Sequence, residues 1–123
     1  MWNTPSKRRL NKIPRLYETE HIPLQYKLIY LHFFINGCDW YLREYDGTDL
    51  FFGFCILNND IFSAEWGYIS FNELKAIKLH GFLEVDCETE YSWKVRKASD
   101  IFKIREAQGW KEVAYERQSQ TSS

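Results

Sequence analysis

The chain has 123 residues, 45% of them apolar and 18% aromatic, with a formal net charge of −1. That length suits one domain able to bury a real core. The near-neutral balance excludes strong overall attraction to nucleic acid or to an anionic membrane while leaving local patches open. The longest apolar run, "KLIYLHFFI", is far too short to span a bilayer and carries His32.

The chain opens on "MWNTPSKRRLNKIPRL", a polar, basic stretch without a secretory apolar segment. Lys7, Arg8, Arg9, Lys12 and Arg15 lie in it with no acid among them, close to Trp2 and Tyr17. Residues 1–12 read as a flexible basic arm, and these five bases are candidates for following a phosphate backbone or docking on an acidic partner. The bland alternative is a solvated leader that keeps the chain soluble.

"KLIYLHFFI" is rich in strand formers and is followed by Asn36-Gly37, a two-residue hairpin signal. "DWYLREY" follows, then Asp46-Gly47 as a second such signal, then "DLFFGFCIL". Strict alternation in "DWYLREY" places Trp40, Leu42 and Glu44 on one face, and Tyr41, Arg43 and Tyr45 on the other. Gly53 inside the third strand predicts a bulge or close packing of another element. "EWGYIS" adds a fourth strand to this meander, and "FLEVD" can add another.

"SFNELKAIKLHG" carries the clearest helix signature, with Ser70 as N-cap, Glu73 three residues on and Gly81 as the stop. "SDIFKIREAQ" is a second helix, with Ile101 and Ile104 on one side and Gly109 after it. The expected fold is α+β: a four- to five-stranded, mostly antiparallel sheet with one or two short helices packed on one face. It occupies residues 13–110 as a single domain, followed by a mostly disordered tail over 111–123 ending in "ERQSQTSS".

Chemistry is sparse. Cys38, Cys55 and Cys87 form no Cys-x-x-Cys pair, which predicts buried or incidental thiols in a reducing, cytoplasmic setting. His21, His32 and His80 are isolated, and His32 reads as a satisfied core or interface histidine rather than a metal ligand. There is no Walker sequence and no Gly-x-Ser-x-Gly, so no catalytic residue and no cofactor are assigned. "EYDGTDLFFG" sets Glu44, Asp46 and Asp49 around a glycine turn, where Asp is favoured for reasons unrelated to catalysis. From Cys38 to Leu74 seven acids face only Arg43, and bases return after Tyr91. An acidic sheet edge bearing Glu44, Asp46, Asp49, Trp40 and Trp66 is therefore a second candidate surface, for a basic partner.

The order "IPRLYETE", "LHFFINGCDWYLREYDGTDLFFGFCIL", "AEWGYISFNELKAI" and "GFLEVDCETEYSW" resembles the family catalogued as domain of unknown function 2958, small accessory proteins of bacterial plasmids, phages and integrated elements. Trp40, Glu44, Asp46, Phe52, Gly53, Glu65, Gly67, Tyr68, Ser70, Glu73 and Leu74 carry the resemblance over roughly residues 13–104. "EWGYISFNEL" is its most specific part, and Asn36-Gly37-Cys38 replaces the family's usual Thr-Pro segment.

The resemblance implies an accessory protein of a mobile element and supplies no catalytic residues. The leading expectation is a non-enzymatic inhibitor of host defence, of anti-CRISPR or anti-restriction type, that binds an RNA-guided or restriction nuclease and interferes with its nucleic acid. Direct binding of RNA or single-stranded DNA is the second reading. A divalent-metal enzyme using Glu44, Asp46, Asp49 or Glu65 is the third. No membrane partner is expected.

Overall fold

The computed structural model describes residues 1–110, so the reading of 111–123 as a tail lies outside the described residues. After a short helix α1 (Lys7–Asn11) and a 3₁₀ turn at Leu24–Tyr26 come β1 (Leu28–Ile29), β2 (Leu31–Ile35), β3 (Cys38–Tyr45), β4 (Leu50–Ile56) and β5 (Glu65–Ser70). Helix α2 (Phe71–Ala76) leads to β6 (Lys78–Leu79), β7 (Leu83–Glu84), β8 (Asp86–Cys87) and β9 (Arg96–Lys97). A second 3₁₀ turn, Ala98–Asp100, precedes α3 (Phe102–Gln108). The main sheet is antiparallel and five-stranded in the order β5-β4-β3-β2-β8. The protein is thus α+β, built on the meander that the turn residues encode. Among the described residues no helix is long and apolar enough to cross a membrane.

The turns explain the meander. Asn36 (φ 40°) and Gly37 (φ 85°) both take the left-handed conformation that a tight two-residue hairpin requires. The second turn is wider than the expected two-residue hairpin. It spans the residues between Tyr45 and Leu50 and closes through Asp46 N–H to Leu50 C=O at 2.8 Å. Here the Asp46 side chain, rather than a paired positive φ, organises the corner.

Strand β3 departs from strict alternation. Its pairing with β4 slips between Leu42 and Glu44, a β-bulge that returns Tyr45 to the face of Trp40 and Leu42 and puts Glu44 with Arg43 on the other. Gly53, opposite Leu42, makes the slip possible: a Cβ there would lie 2.2 Å from the Tyr41 carbonyl oxygen. The expected face assignment of Glu44 and Tyr45 is therefore reversed by one extra residue.

Helix α2 starts as the sequence indicates, with Ser70 Oγ accepting from Glu73 N–H at 3.2 Å. It ends earlier than Gly81. Ile77 is already extended, and His80 (φ 54°) with Gly81 (φ 78°) turns the small hairpin of β6 and β7. "FLEVD" is likewise divided, since Leu83–Glu84 pairs with β6 whereas Asp86–Cys87 pairs with β2. Helix α3 ends as expected at Gly109 in the left-handed region, with Trp110 N–H reaching Arg105 C=O at 3.0 Å.

The sequence reading places its helices on one face, but the cover is divided between two. Leu10 of α1 and Ile13 just after it, with Phe71 and Leu74 of α2, bury Leu31, Phe33, Trp40, Leu42, Tyr45 and Phe51. On the opposite face Ile101 and Ile104 cover Ile29, Tyr41, Phe54, Ile56 and Trp93. Phe33, Phe51 and Phe54 are fully buried, each contributing about 1.5–3 kcal/mol by removal from water. Residues 1–12 are not a loose arm. Trp2 forms a parallel bridge with Asp86 of β8, its N–H donating to Val85 C=O at 2.9 Å, and Leu10 enters the core. Spacing of apolar residues in that segment is too sparse to announce burial, and the sheet supplies its partners.

Gly53→Ala is expected to lower stability by about 1–3 kcal/mol, read as a fall in the urea midpoint. Gly67→Ala, whose added Cβ meets nothing within 4 Å, should stay within about 0.5 kcal/mol of wild type.

Candidate functional site

The three carboxylates of the acidic corner do not converge. Asp46 Oδ1 accepts from the backbone N–H groups of Thr48 (2.7 Å), Asp49 (2.8 Å) and Leu50 (3.0 Å), and these bonds hold its carboxyl below the ordinary value. Asp49 reaches across to α2, accepting from Ser70 Oγ at 2.7 Å and Asn72 N–H at 2.6 Å, so it completes the cap of that helix. Glu44 is buried and accepts from Tyr17 N–H (3.1 Å) and the Thr19 hydroxyl. Each acid is therefore satisfied by backbone or hydroxyl donors of its own neighbourhood. Among the described residues no group of three or more His, Cys, Asp or Glu side chains is placed to hold a metal ion.

The two tryptophans assigned to this surface also part company. Trp40 is buried beneath α2. Trp66 is half-buried on the opposite face, its indole N–H donating to Gln108 Oε1 at 3.1 Å.

The five bases read as an arm are spread over the surface. Arg8 makes a forked pair with Glu90 at 2.5 and 2.6 Å. Arg9 donates to Glu88 C=O at 3.0 Å, and Arg15 to Tyr45 C=O at 3.4 Å. Lys7 and Lys12 are exposed. Arg9 and Lys12 meet Lys94 around a cleft of about 200 Å³ that Tyr30, Trp93 and Glu90 also line. Bases from the two ends of the sequence thus share one patch, and Tyr91, next in sequence to Glu90, is 87% exposed.

His32 is held more tightly than its isolation in sequence suggests. Its Nε2 lies 2.7 Å from Asp39 Oδ1 and its Nδ1 2.6 Å from Glu88 Oε2, while the ring stacks on Tyr41 at 4.4 Å. Lys103 of α3 completes the group through Asp39 Oδ2 at 2.8 Å. With both ring nitrogens facing carboxylates, the imidazole is a structural tie between β2, β3, the segment after β8 and α3. Burial raises the Asp39 carboxyl, and the hydrogen bonds from His32 and Lys103 with their charges outweigh that, leaving it below its ordinary value. Burial pushes the Cys87 thiol up to about 11, as expected of an inert core thiol.

The edge strand β5 has β4 on one side and no strand of the described residues on the other. Beside it lies an open cleft of about 360 Å³ with an apolar floor of Trp40, Leu57, Ile69, Leu74 and Ile77 between Glu65 and Glu73. Gly67 leaves this face uncovered, and Tyr68 is 52% exposed. Sequence reasoning found the strand and its acids, but the cleft depends on how β5 and α2 meet.

No family model, no curated protein and no solved structure matches this chain.

Asp39 stabilises the fold while ionised, so its contribution is complete above the ordinary carboxylate range and is lost as pH falls through its depressed folded value. Asp39→Asn should flatten the fall of the urea midpoint between about pH 5 and pH 2, while lowering that midpoint at pH 7.

Proposed function

We propose that this chain is a small non-enzymatic interaction protein of a mobile element, an anti-CRISPR or anti-restriction inhibitor that binds a nuclease effector and interferes with its nucleic acid. The observation that carries the reading is the acid-flanked apolar cleft on the sheet face between α2 and the edge strand β5, whose outer side is unpaired among the described residues. An edge strand offers unpaired N–H and C=O groups to an extended segment, and neighbouring pockets choose its side chains. Glu65 and Glu73 favour a segment bearing Lys or Arg, the composition of nucleic-acid-facing loops on nucleases. "EWGYISFNEL", which carries the most specific part of the family resemblance, is the stretch that forms β5 and opens α2. The mobile-element context and the identity of the partner rest on that resemblance.

The checking experiment is a pull-down from bacterial lysate with tagged wild type and a Glu65→Lys/Glu73→Lys variant. Wild type should recover a nuclease or other defence protein, and the variant about ten-fold less, with an unchanged circular dichroism spectrum. Recovery of no such protein by wild type would sink the reading.

A second reading, direct binding of RNA or single-stranded DNA, is favoured by the convergence of Arg9, Lys12 and Lys94 beside an exposed tyrosine. In a gel shift with short RNA, Lys12→Ala/Lys94→Ala should weaken binding and reduce the salt slope by about 0.7 per lost phosphate contact. Absence of a shift at low salt rules this reading out.

A further inference from the structure

We infer that the pocket beside Arg43 is a binding site for a small oxyanion, a carboxylate or phosphate group carried on a compact apolar body. Arg43 lies in the bulge of β3 and packs on Phe52 of β4 and Trp66 of β5, and the bulge turns Glu44 to its side. Its guanidinium lies 4.5 Å from the Phe52 ring centre and 5.0 Å from that of Trp66, so the rings fix its plane. Both Nε and Nη1 are buried without a hydrogen-bond partner. The adjacent Glu44 does not answer them, because its oxygens accept from Tyr17 N–H and the Thr19 hydroxyl.

Lys27 lines the same pocket and is itself only 7% exposed. Its ammonium contacts two neutral acceptors, the Thr19 carbonyl and, at 3.1 Å, the Thr19 hydroxyl. Burial lowers its affinity for a proton, with the nearby Arg43 charge acting the same way against the weaker pull of Glu44 and Glu20. Two desolvated cations thus share a cavity whose one buried carboxylate is already bound. Arg43 Nε and Nη1 have no acceptor and Lys27 has only neutral ones, an arrangement costly for buried charge that an oxyanion between the two cations relieves.

The pocket also limits what can enter. Its volume is about 190 Å³, below the roughly 300 Å³ at which drug-sized sites begin. Leu16 and Phe52 supply apolar wall, and Tyr17 and Tyr68, joined through their hydroxyls at 2.6 Å, stand at the exposed side. Glu20 on the exposed rim disfavours ligands with several negative charges. A single oxyanion on a small flat or aliphatic body fits this combination. The inference is independent of the partner-binding cleft, with which this pocket shares only Tyr68.

Titration of the full chain with inorganic phosphate and with benzoate, followed by tyrosine and tryptophan fluorescence and by NMR, tests the site and separates the two sources. At least one probe should saturate in the millimolar range, with shifts centred on Tyr17, Arg43 and Tyr68. Arg43→Met and Lys27→Met should each weaken that binding about ten-fold, the loss expected for one charge-assisted hydrogen bond. Failure of both probes to saturate, or wild-type affinity in both variants, overturns the proposal. Should Arg43→Met not fold, Lys27→Met carries the comparison alone.

Discussion

The close approach of the Tyr41 carbonyl to Gly53 is the constraint on which the rest of the structure depends. No side chain fits at that crossing, and the backbone slips there by one residue between Leu42 and Glu44. Because strand side chains alternate with period two, a slip of one residue exchanges the faces of everything beyond it. Tyr45 thereby joins Phe51 in a stack at 4.6 Å within one core, and Glu44 turns to the side of Arg43 and Lys27. A regular strand would have sent Glu44 into the apolar core and Tyr45 out of it.

Charge in this protein is used mainly for tethering. Asp46 closes a loop, Asp49 caps a helix from the turn between β3 and β4, and Glu44 holds the segment around Tyr17 and Thr19. His32, Asp39, Glu88 and Lys103 draw α3 and the chain after β8 onto the sheet. A buried group of this kind does not need to exceed a hydrophobic equivalent in stability; its donors and acceptors match in only one arrangement, which favours one docking over others. Against that background of satisfied acids and bases, the unpartnered Arg43 and the uncovered flank of β5 stand out as the places where the fold leaves interactions incomplete.

The regular elements were legible because their signals are local. Asn36-Gly37 takes the φ values that a tight hairpin needs, Ser70 caps α2, and Gly109 ends α3. Of the candidate sites much less was legible. Glu44, Asp46 and Asp49 are close in sequence, which makes them look like a cluster, yet each faces a different donor set. Glu65 was readable as an acid on an exposed strand, but Trp40, which shares its cleft, lies far away in sequence. Arg9, Lys12 and Lys94 share a patch through the docking of the first residues beside β8, a contact that no motif announces.

The sequence alone determined the α+β class, the meander and the caps, because backbone dihedral preference and short-range hydrogen bonding act within a few residues. Tertiary structure decided the rest: the two-sided helix cover, the docking of the basic segment, the reversed face of Glu44 and the burial of Lys27 beside Arg43. Those outcomes follow from van der Waals contact and charge pairing between residues far apart in the chain, and such contacts exist only once the strands have found their register.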